Sequence, residues 1–162
     1  MTGPVRAAYD ELLNAGELKP DPAQARAVGA LDRLAASMGE SGLLSRLFKR
    51  SDGTAGVYLW GGVGRGKSML MDLAFAQIDV APKRRVHFNE FMLEVQARLH
   101  RRREDLAAKG APPEADTIVP IAREIARETR LLCFDEFQVT NIADAMILGR
   151  LFETLFDERR DD

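Results

Sequence analysis

The stretch GGVGRGKSML, residues 61–70, carries the residue types that bind a phosphate chain. It contains Gly, any four residues, Gly, Lys and Ser, with the apolar run VYLW before it and a helical pattern after it. Glycines let backbone N–H groups converge on an anion without obstruction, and the positive end of the helix adds to the attraction. Lys67 can reach the β and γ phosphates as a point charge, and the Ser68 hydroxyl can coordinate Mg²⁺. The spacing therefore predicts a site for a magnesium-bound nucleoside triphosphate, the alternative being a glycine turn without a ligand. The predicted nucleotide contacts are Gly61, Gly62, Val63, Gly64, Arg65, Gly66, Lys67, Ser68 and Met69.

A second group of candidate residues lies in LLCFDEF, residues 131–137. Its four apolar residues predict a strand buried on both faces, with Asp135 at the carboxyl end, where ligands bind in open α/β sheets. Asp135 can hold Mg²⁺ through water, and Glu136 can act as the base that activates or orients the attacking water. A solvated or helix-capping acidic pair is the alternative. The adjacent glutamate favours hydrolysis, with Glu136 and Lys67 as the catalytic residues.

Other polar residues near these motifs allow two interpretations each. Gln24 could contact the adenine base, but it also has the position in its helix that a capping box requires. His87, Asn89 and Glu90 follow a predicted strand at the same sheet edge as the acidic pair, which allows either substrate contact or a structural role. The run RRR at 101–103 is followed by acidic residues, which favours a solvated helix face over a patch for nucleic-acid phosphates.

Hydrophobic spacing predicts two helices at the start of the chain. The first ends at Gly16, and the second begins with Asp21 as N-cap and Pro22 at its first position. The predicted apolar stripe of the second helix comprises Val28, Leu31, Leu34 and Met38. A polar, glycine-bearing loop follows residue 39, and a boundary near residue 53 is expected to separate a helical segment, 1–52, from a nucleotide-binding core, 53–162.

The core is predicted to alternate strands with helices. GVYLW, RRVHF and LLCFDEF are the expected strands, and a long helix before LLCFDEF is expected to end at Gly110. This alternation predicts an α/β fold with a parallel sheet and helices on both sides. Trp60 and Cys133 are expected in the core. The last helix is expected to place five residues on or near one face: Ile142, Met146, Leu148, Phe152 and Phe156.

Composition narrows the class of protein. A chain of 162 residues with 46% apolar residues can bury one core. The formal net charge of −2 gives no global basic field, so nucleic acid is not an expected partner. A single cysteine excludes an internal disulfide. The start MTGPVRAAYDELL lacks a signal-peptide pattern, and no stretch approaches the roughly 18 apolar residues of a membrane span. We therefore expect a cytoplasmic protein without a transmembrane segment.

The sequence resembles the ZapE-like cell-division ATPases of bacteria and their mitochondrial relatives, a branch of the AAA+ ATPases. The resemblance rests on GVYLWGGVGRGKSMLMDLAF, VHFNEFMLEVQ, LLCFDEFQVTNIADAMILGRLFETLF and the N-terminal GELKPDPAQ, and it runs over essentially the whole chain. It matches residues 61–68 to the family's Walker A loop, and Asp135 and Glu136 to its Walker B pair. One departure is Asn89, where the family pattern has histidine.

The resemblance implies a three-layer αβα P-loop NTPase fold of the AAA+ type, with a parallel sheet and an N-terminal helical segment. It implies ATP hydrolysis with Mg²⁺, coupled to conformational work on division-ring proteins at the bacterial inner membrane or on mitochondrial quality control. Association with the membrane would be peripheral, and homo-oligomers are expected of the full-length protein.

The family continues beyond the pattern found here with a fourth strand that carries a sensor residue, a fifth strand and an arginine finger. The expected fold is therefore truncated after the Walker B strand and the following helix. In the family's strand order the fourth strand lies between GVYLW and LLCFDEF, so these either close up directly or leave a marginally folded fragment. We expect nucleotide binding with little turnover, because loss of such an arginine lowers the rate roughly 10³- to 10⁵-fold.

Two other functions stay open from the sequence. The first is a helicase-loader-like ATPase linked to nucleic acid, against which the near-neutral charge argues. The second is a nucleotide-gated scaffold module that recruits division proteins without hydrolysis. Replacing Glu136 by glutamine would separate an enzyme, which should lose function, from a pure binder, which should keep it.

Overall fold

A computed structural model of the chain describes residues 2–39, 56–112 and 116–161. The chain divides into two compact units, Met1–Val80 and Ala81–Asp162. The predicted polar loop lies mostly outside the described residues, as does the predicted boundary near residue 53. The division into 1–52 and 53–162 therefore stays a prediction.

The described residues of the first unit form three helices, α1 (Pro4–Asn14), α2 (Pro22–Gly39) and α3 (Lys67–Gln77). The predicted end of α1 is confirmed, because Gly16 follows it with φ 74°, a conformation that glycine adopts without strain. The predicted start of α2 is also confirmed. Asp21 Oδ1 accepts hydrogen bonds from the N–H groups of Ala23 at 2.7 Å and Gln24 at 3.4 Å.

The three helices of the first unit pack against one another through one apolar core. α1 contributes Val5 and Tyr9, and α3 contributes Leu70 and Ala74. The predicted stripe of α2 is confirmed as Val28, Leu31, Leu34 and Met38, each at most 9% exposed. α2 also caps α1, because its Asp32 carboxylate accepts the backbone N–H groups of Val5 at 2.9 Å and Arg6 at 3.1 Å.

Residues 57–60 do not form the predicted strand, since no strand is found between residues 56 and 62. A strand needs a neighbour to pair its backbone N–H and C=O groups. The sheet of the described residues contains two strands, both from the second unit. The prediction that Trp60 is a core residue is wrong, because its side chain is 82% exposed.

In the second unit, the part of the chain that the structure describes forms two parallel strands and three helices. They are β1 (Lys83–His87), α4 (Phe88–Ala108), α5 (Ile118–Glu128), β2 (Leu131–Asp135) and α6 (Ile142–Asp161). The predicted alternation and the parallel pairing are confirmed, and α4 ends as predicted before Gly110, which has φ 70°. Asn141 Oδ1 begins α6 by accepting two N–H groups of its first turn, at 2.7 and 3.2 Å. No helix within the described ranges is both long and apolar enough to cross a membrane.

The core of the second unit joins β1, α4, α5 and α6. Its buried side chains are Val86, Phe88, Phe91, Met92, Val95, Leu99, Ile121, Ala122, Ile125, Leu148 and Leu151. Phe134 of β2 adds an aromatic contact, because its ring lies edge-on to that of Phe91 with the centroids 4.7 Å apart. Because Phe134 directly precedes the acidic pair, this contact holds the carboxyl end of β2 against α4.

One predicted burial pattern of the second unit is wrong, and α6 buries only part of its apolar residues. β2 is not buried on both faces, since residues 132–135 are only half-buried beside the single neighbour β1. Ile142 and Met146 of α6 are 83% and 71% exposed, whereas Leu148 and Leu151 are buried. At about 100° per residue, the first pair lies well over 100° around the helix from the second pair, which faces the core. The apolar residues of α6 therefore extend beyond the face that this unit covers.

Candidate functional site

The glycine loop joins residue 60 to the first turn of α3. Gly64 and Gly66 have φ values of 79° and 77°, the left-handed region that side chains disfavour, and Gly66 is the N-cap of α3. The hydrogen bonding of α3 begins with the N–H of Leu70, which donates to the Gly66 carbonyl at 3.0 Å. A helix gives no acceptor to its first N–H groups, so those of α3 are directed to the loop side. The loop can therefore surround an anion, as the glycine pattern predicts.

Lys67 is the first residue of α3, and its side chain turns back over the loop. Its Nζ donates hydrogen bonds to the carbonyl oxygens of Gly61 at 2.7 Å and Gly62 at 2.8 Å. An ammonium group has three N–H donors, so these two bonds engage part of its capacity. The positive charge is consequently held at the carbonyl oxygens of Gly61 and Gly62, and Ser68 beside Lys67 is exposed.

Gln24 of α2 has partners that neither interpretation of the sequence named. Its Nε2 donates to the Arg65 carbonyl of the glycine loop at 3.3 Å, and its Oε1 accepts from the Tyr9 hydroxyl at 3.2 Å. The N-cap carboxylate of Asp21 supplies the capping of α2, while the Gln24 amide links α1 to the loop. The sequence signal for this role is weak, because it depends on how α1 and α2 pack.

The acidic pair lies at the carboxyl end of β2, directly opposite the end of β1. Asp135 is in register with His87, which confirms that the residues after β1 share its sheet edge. Asp135 Oδ2 accepts a hydrogen bond from Arg85 Nε at 2.8 Å and forms an ion pair with Arg85 Nη2, also at 2.8 Å. Sequence analysis missed Arg85, since only the register of the parallel pair shows that it faces Asp135.

Glu136 has a left-handed backbone with φ 52°, which glycine adopts readily and other residues rarely do. Among the described residues, Glu136 is the only one other than glycine that has a positive φ. Such a conformation costs about 1–2 kcal/mol and concentrates at functional positions. Its side chain is exposed immediately after the strand, where it can reach a solvent molecule.

His87 is the last residue of β1, and Asn89 and Glu90 lie in the first turn of α4. His87 is the N-cap position of α4, and Glu90 lies in the first helical turn, where a carboxylate is favoured by the helix dipole. Asn89 is exposed. Further along α4, Arg101 and Arg103 are exposed, as predicted for a solvated helix face, whereas Arg102 between them is half-buried and pairs with Glu124 at 4.0 Å.

An ionic network fixes α4 relative to β1 and α5. Arg98 Nη2 donates to Glu94 Oε1 at 2.8 Å and to Glu128 Oε2 at 2.6 Å, while Arg84 of β1 bonds the other Glu94 oxygen. The hydrogen bond from Arg84 is the main cause that lowers the pKa of Glu94, and that from Arg98 lowers the pKa of Glu128. This network supports the strand that carries Arg85.

A glycine loop that opens a helix with lysine at its first position, accompanied by an acidic pair after a parallel strand, defines the P-loop class of nucleotide-binding proteins. Comparison with known families agrees, since the model described as AFG1-like ATPase matches residues 2–160. The chain belongs to this AFG1-like ATPase family.

Individual relatives support this assignment. The chain is 38% identical to the cell division protein ZapE of Escherichia coli K12 over 164 aligned residues, covering 91% of this chain and 41% of that protein. It is 53% identical to the lactation elevated protein 1 homolog B of Danio rerio over 103 residues, covering 62% of this chain and 20% of that protein. The chain therefore spans less than half the length of these relatives. No solved structure matches it.

Proposed function

We propose that this chain is the nucleotide-binding part of an ATPase that binds Mg-ATP and hydrolyses it. The observation that carries the proposal is the Lys67 ammonium held over a glycine loop at the start of α3. In this site the backbone of residues 61–69 would surround the phosphates. Lys67 would stabilise the negative charge on the β and γ phosphates, where charge develops during transfer.

Ser68 and Asp135 are the proposed ligand residues for Mg²⁺. The donor set fits the metal, because a hydroxyl and a carboxylate supply the hard oxygen ligands that Mg²⁺ prefers. When bound, Mg²⁺ would supply neutralisation of phosphate charge. Arg85 holds one oxygen of Asp135 in place, so the orientation of this carboxylate is set before any ligand arrives.

Glu136 is the proposed base that orients and deprotonates the attacking water. Its exposed carboxylate adjoins Asp135, and its strained backbone turns the chain sharply after β2. The proton of the water would pass to this carboxylate as the water oxygen bonds to the γ-phosphorus and the bond from that phosphorus to the bridging oxygen breaks, so that ADP leaves. A scaffold that only binds the nucleotide would not need this group, which favours hydrolysis over gating alone.

The partners of the protein are proposed from its relatives. The Escherichia coli relative is named a cell division protein, and it aligns with 91% of this chain. We infer that the complete protein acts in the cytoplasm on division proteins at the inner membrane, by peripheral association, and that it forms homo-oligomers. A nucleic-acid partner is not favoured, since the formal net charge is −2.

Calorimetry of Mg-ATP binding tests the nucleotide site. Lys67→Ala should weaken binding at least tenfold, because it removes a charged donor aimed at the phosphates. Lys109→Ala is the matched control, since it removes the same charge from an exposed position after α4 and should bind like wild type. Equal affinity in Lys67→Ala and wild type would overturn the proposed site.

Phosphate release on the same samples tests the catalytic step. Glu136→Gln should keep Mg-ATP affinity within about threefold and abolish the slow phosphate release of the wild type. Glu153→Gln, an exposed carboxylate on α6, is the control and should leave release unchanged. Wild-type release that survives in Glu136→Gln would show that another group activates the water.

A further inference from the structure

Gln24 connects the packed N-terminal helices to the glycine loop through both ends of one amide group. The Nε2 end donates to the Arg65 carbonyl at 3.3 Å, and the Oε1 end accepts from Tyr9 at 3.2 Å. Arg65 and Gln24 are 41 residues apart in the chain, so this link exists only in the folded first unit.

The contact with the loop is close as well as polar. A Cβ atom built on Gly66 would lie 2.9 Å from Gln24 Nε2, nearer than real Cβ atoms approach other atoms. The absence of a side chain at Gly66 therefore lets the Gln24 amide lie directly against the peptide that begins α3. The carbonyl of Gly66, in the next peptide along the chain, accepts from Leu70 as the N-cap carbonyl of the helix.

Tyr9, whose hydroxyl donates to Gln24, is itself held in place by its neighbours. Its side chain is 1% exposed, and the guanidinium of Arg6 lies over its ring at 5.9 Å from the centroid. Arg6 also donates to the Ala25 carbonyl of α2 at 2.9 Å, which ties the two helices together beside Gln24. A hydroxyl held this way aligns the amide at little cost in side-chain entropy.

We propose that Gln24 is a positioning residue for the glycine loop, holding its Arg65–Gly66 peptide in the form that binds phosphate. The inference rests on the proposed function, because the effect of Gln24 is measured as the affinity of the protein for a triphosphate. Gln24 acts on the loop backbone, so its loss should weaken every ligand that uses the loop, whatever base the ligand carries. Direct recognition of adenine by Gln24 would instead affect ATP alone.

Calorimetry with Mg-ATP, Mg-GTP and Mg-tripolyphosphate distinguishes these roles. Gln24→Ala should weaken all three ligands by a similar factor, about three- to tenfold, the effect of one hydrogen bond. Gln77→Ala, which removes an exposed glutamine at the end of α3, is the matched control and should bind all three like wild type. Far-UV circular dichroism and the thermal midpoint of each variant show whether it is folded.

Tyr9→Phe is the second variant and keeps the inference falsifiable if Gln24→Ala does not fold. It removes only the hydroxyl that holds the amide, so it should weaken the three ligands in the same direction by a smaller factor. Combined with Gln24→Ala it should add no further loss, because both changes remove one link.

The outcomes separate this inference from the proposed function. If wild type binds none of the three ligands, the proposed function fails and the inference fails with it. If wild type binds them and both variants bind equally well, the inference is overturned while the proposed function stands. A loss confined to ATP, with tripolyphosphate unchanged, also overturns it and assigns Gln24 to the base.

Discussion

Replacing Gly66 by alanine should destabilise the protein more than the same replacement at Gly64. The two glycines have nearly equal φ values, 77° and 79°, so the backbone strain of alanine is the same at both, about 1–2 kcal/mol. Their surroundings differ. A Cβ on Gly66 would lie 2.9 Å from Gln24 Nε2, whereas a Cβ on Gly64 has nothing within 4 Å.

The difference between the two variants measures the contact with Gln24. Moving the amide away breaks its bond to the Arg65 carbonyl, which is worth about 0.5–1.5 kcal/mol. Gly64→Ala should therefore lower the free energy of unfolding by about 1–2 kcal/mol and Gly66→Ala by about 1.5–3.5 kcal/mol. The loss of chain entropy in the unfolded state is equal for both changes and cancels.

Urea unfolding followed by far-UV circular dichroism measures both values. The assay should include Gln24→Ala alone and together with Gly66→Ala. In the Gln24→Ala background the excess cost at Gly66 should vanish, since alanine leaves space for the new Cβ. Equal costs at the two glycines, or an excess that persists without the Gln24 side chain, would refute this account of the loop.

Three further predictions concern the second unit. Leu151→Ala should lower the free energy of unfolding by about 2–5 kcal/mol because Leu151 is fully buried, whereas Ile142→Ala at an 83% exposed position should change it by less than about 0.5 kcal/mol; urea midpoints compare them. Asn141→Ala should cost about 1 kcal/mol by removing the N-cap of α6, and faster amide exchange in its first turn would show that the cap is the cause. Folding lowers the pKa values of Glu94 and Glu128, so their stabilisation is complete above their ordinary value of about 4.3 and is lost as the pH falls through the folded values. The midpoint of urea unfolding should decrease once the pH falls below about 4.3. A midpoint that stays constant between pH 7 and pH 3 would contradict the ionic network.

Local signals predicted most helices and both paired strands. Caps and left-handed glycines act over a few residues, so Asp21 and Gly16 marked helix ends that the structure confirms. Burial was less predictable. Trp60 and Ile142 are apolar by type but exposed, because burial requires a neighbour that the residue's own segment cannot supply.

The candidate site likewise has one part that the sequence predicted and one part that it did not. Its glycine loop was recognised from spacing, since phosphate binding by a backbone needs glycines, a lysine and a helix start within eight residues. Arg85, the partner of Asp135, was not recognised, because residues 50 positions apart meet only through the register of two strands.

The sequence by itself determined the family, the glycine loop and the acidic pair, because each depends on residue types at short, fixed spacing. The tertiary structure alone decided which groups hold these motifs in place. It put the Gln24 amide between Tyr9 and the loop, and it placed the Arg85 guanidinium on Asp135. The physical reason is the separation along the chain over which each interaction acts. Conformational preference and capping act between neighbours in the chain, whereas packing and hydrogen bonding between distant segments depend on how those segments are arranged in space.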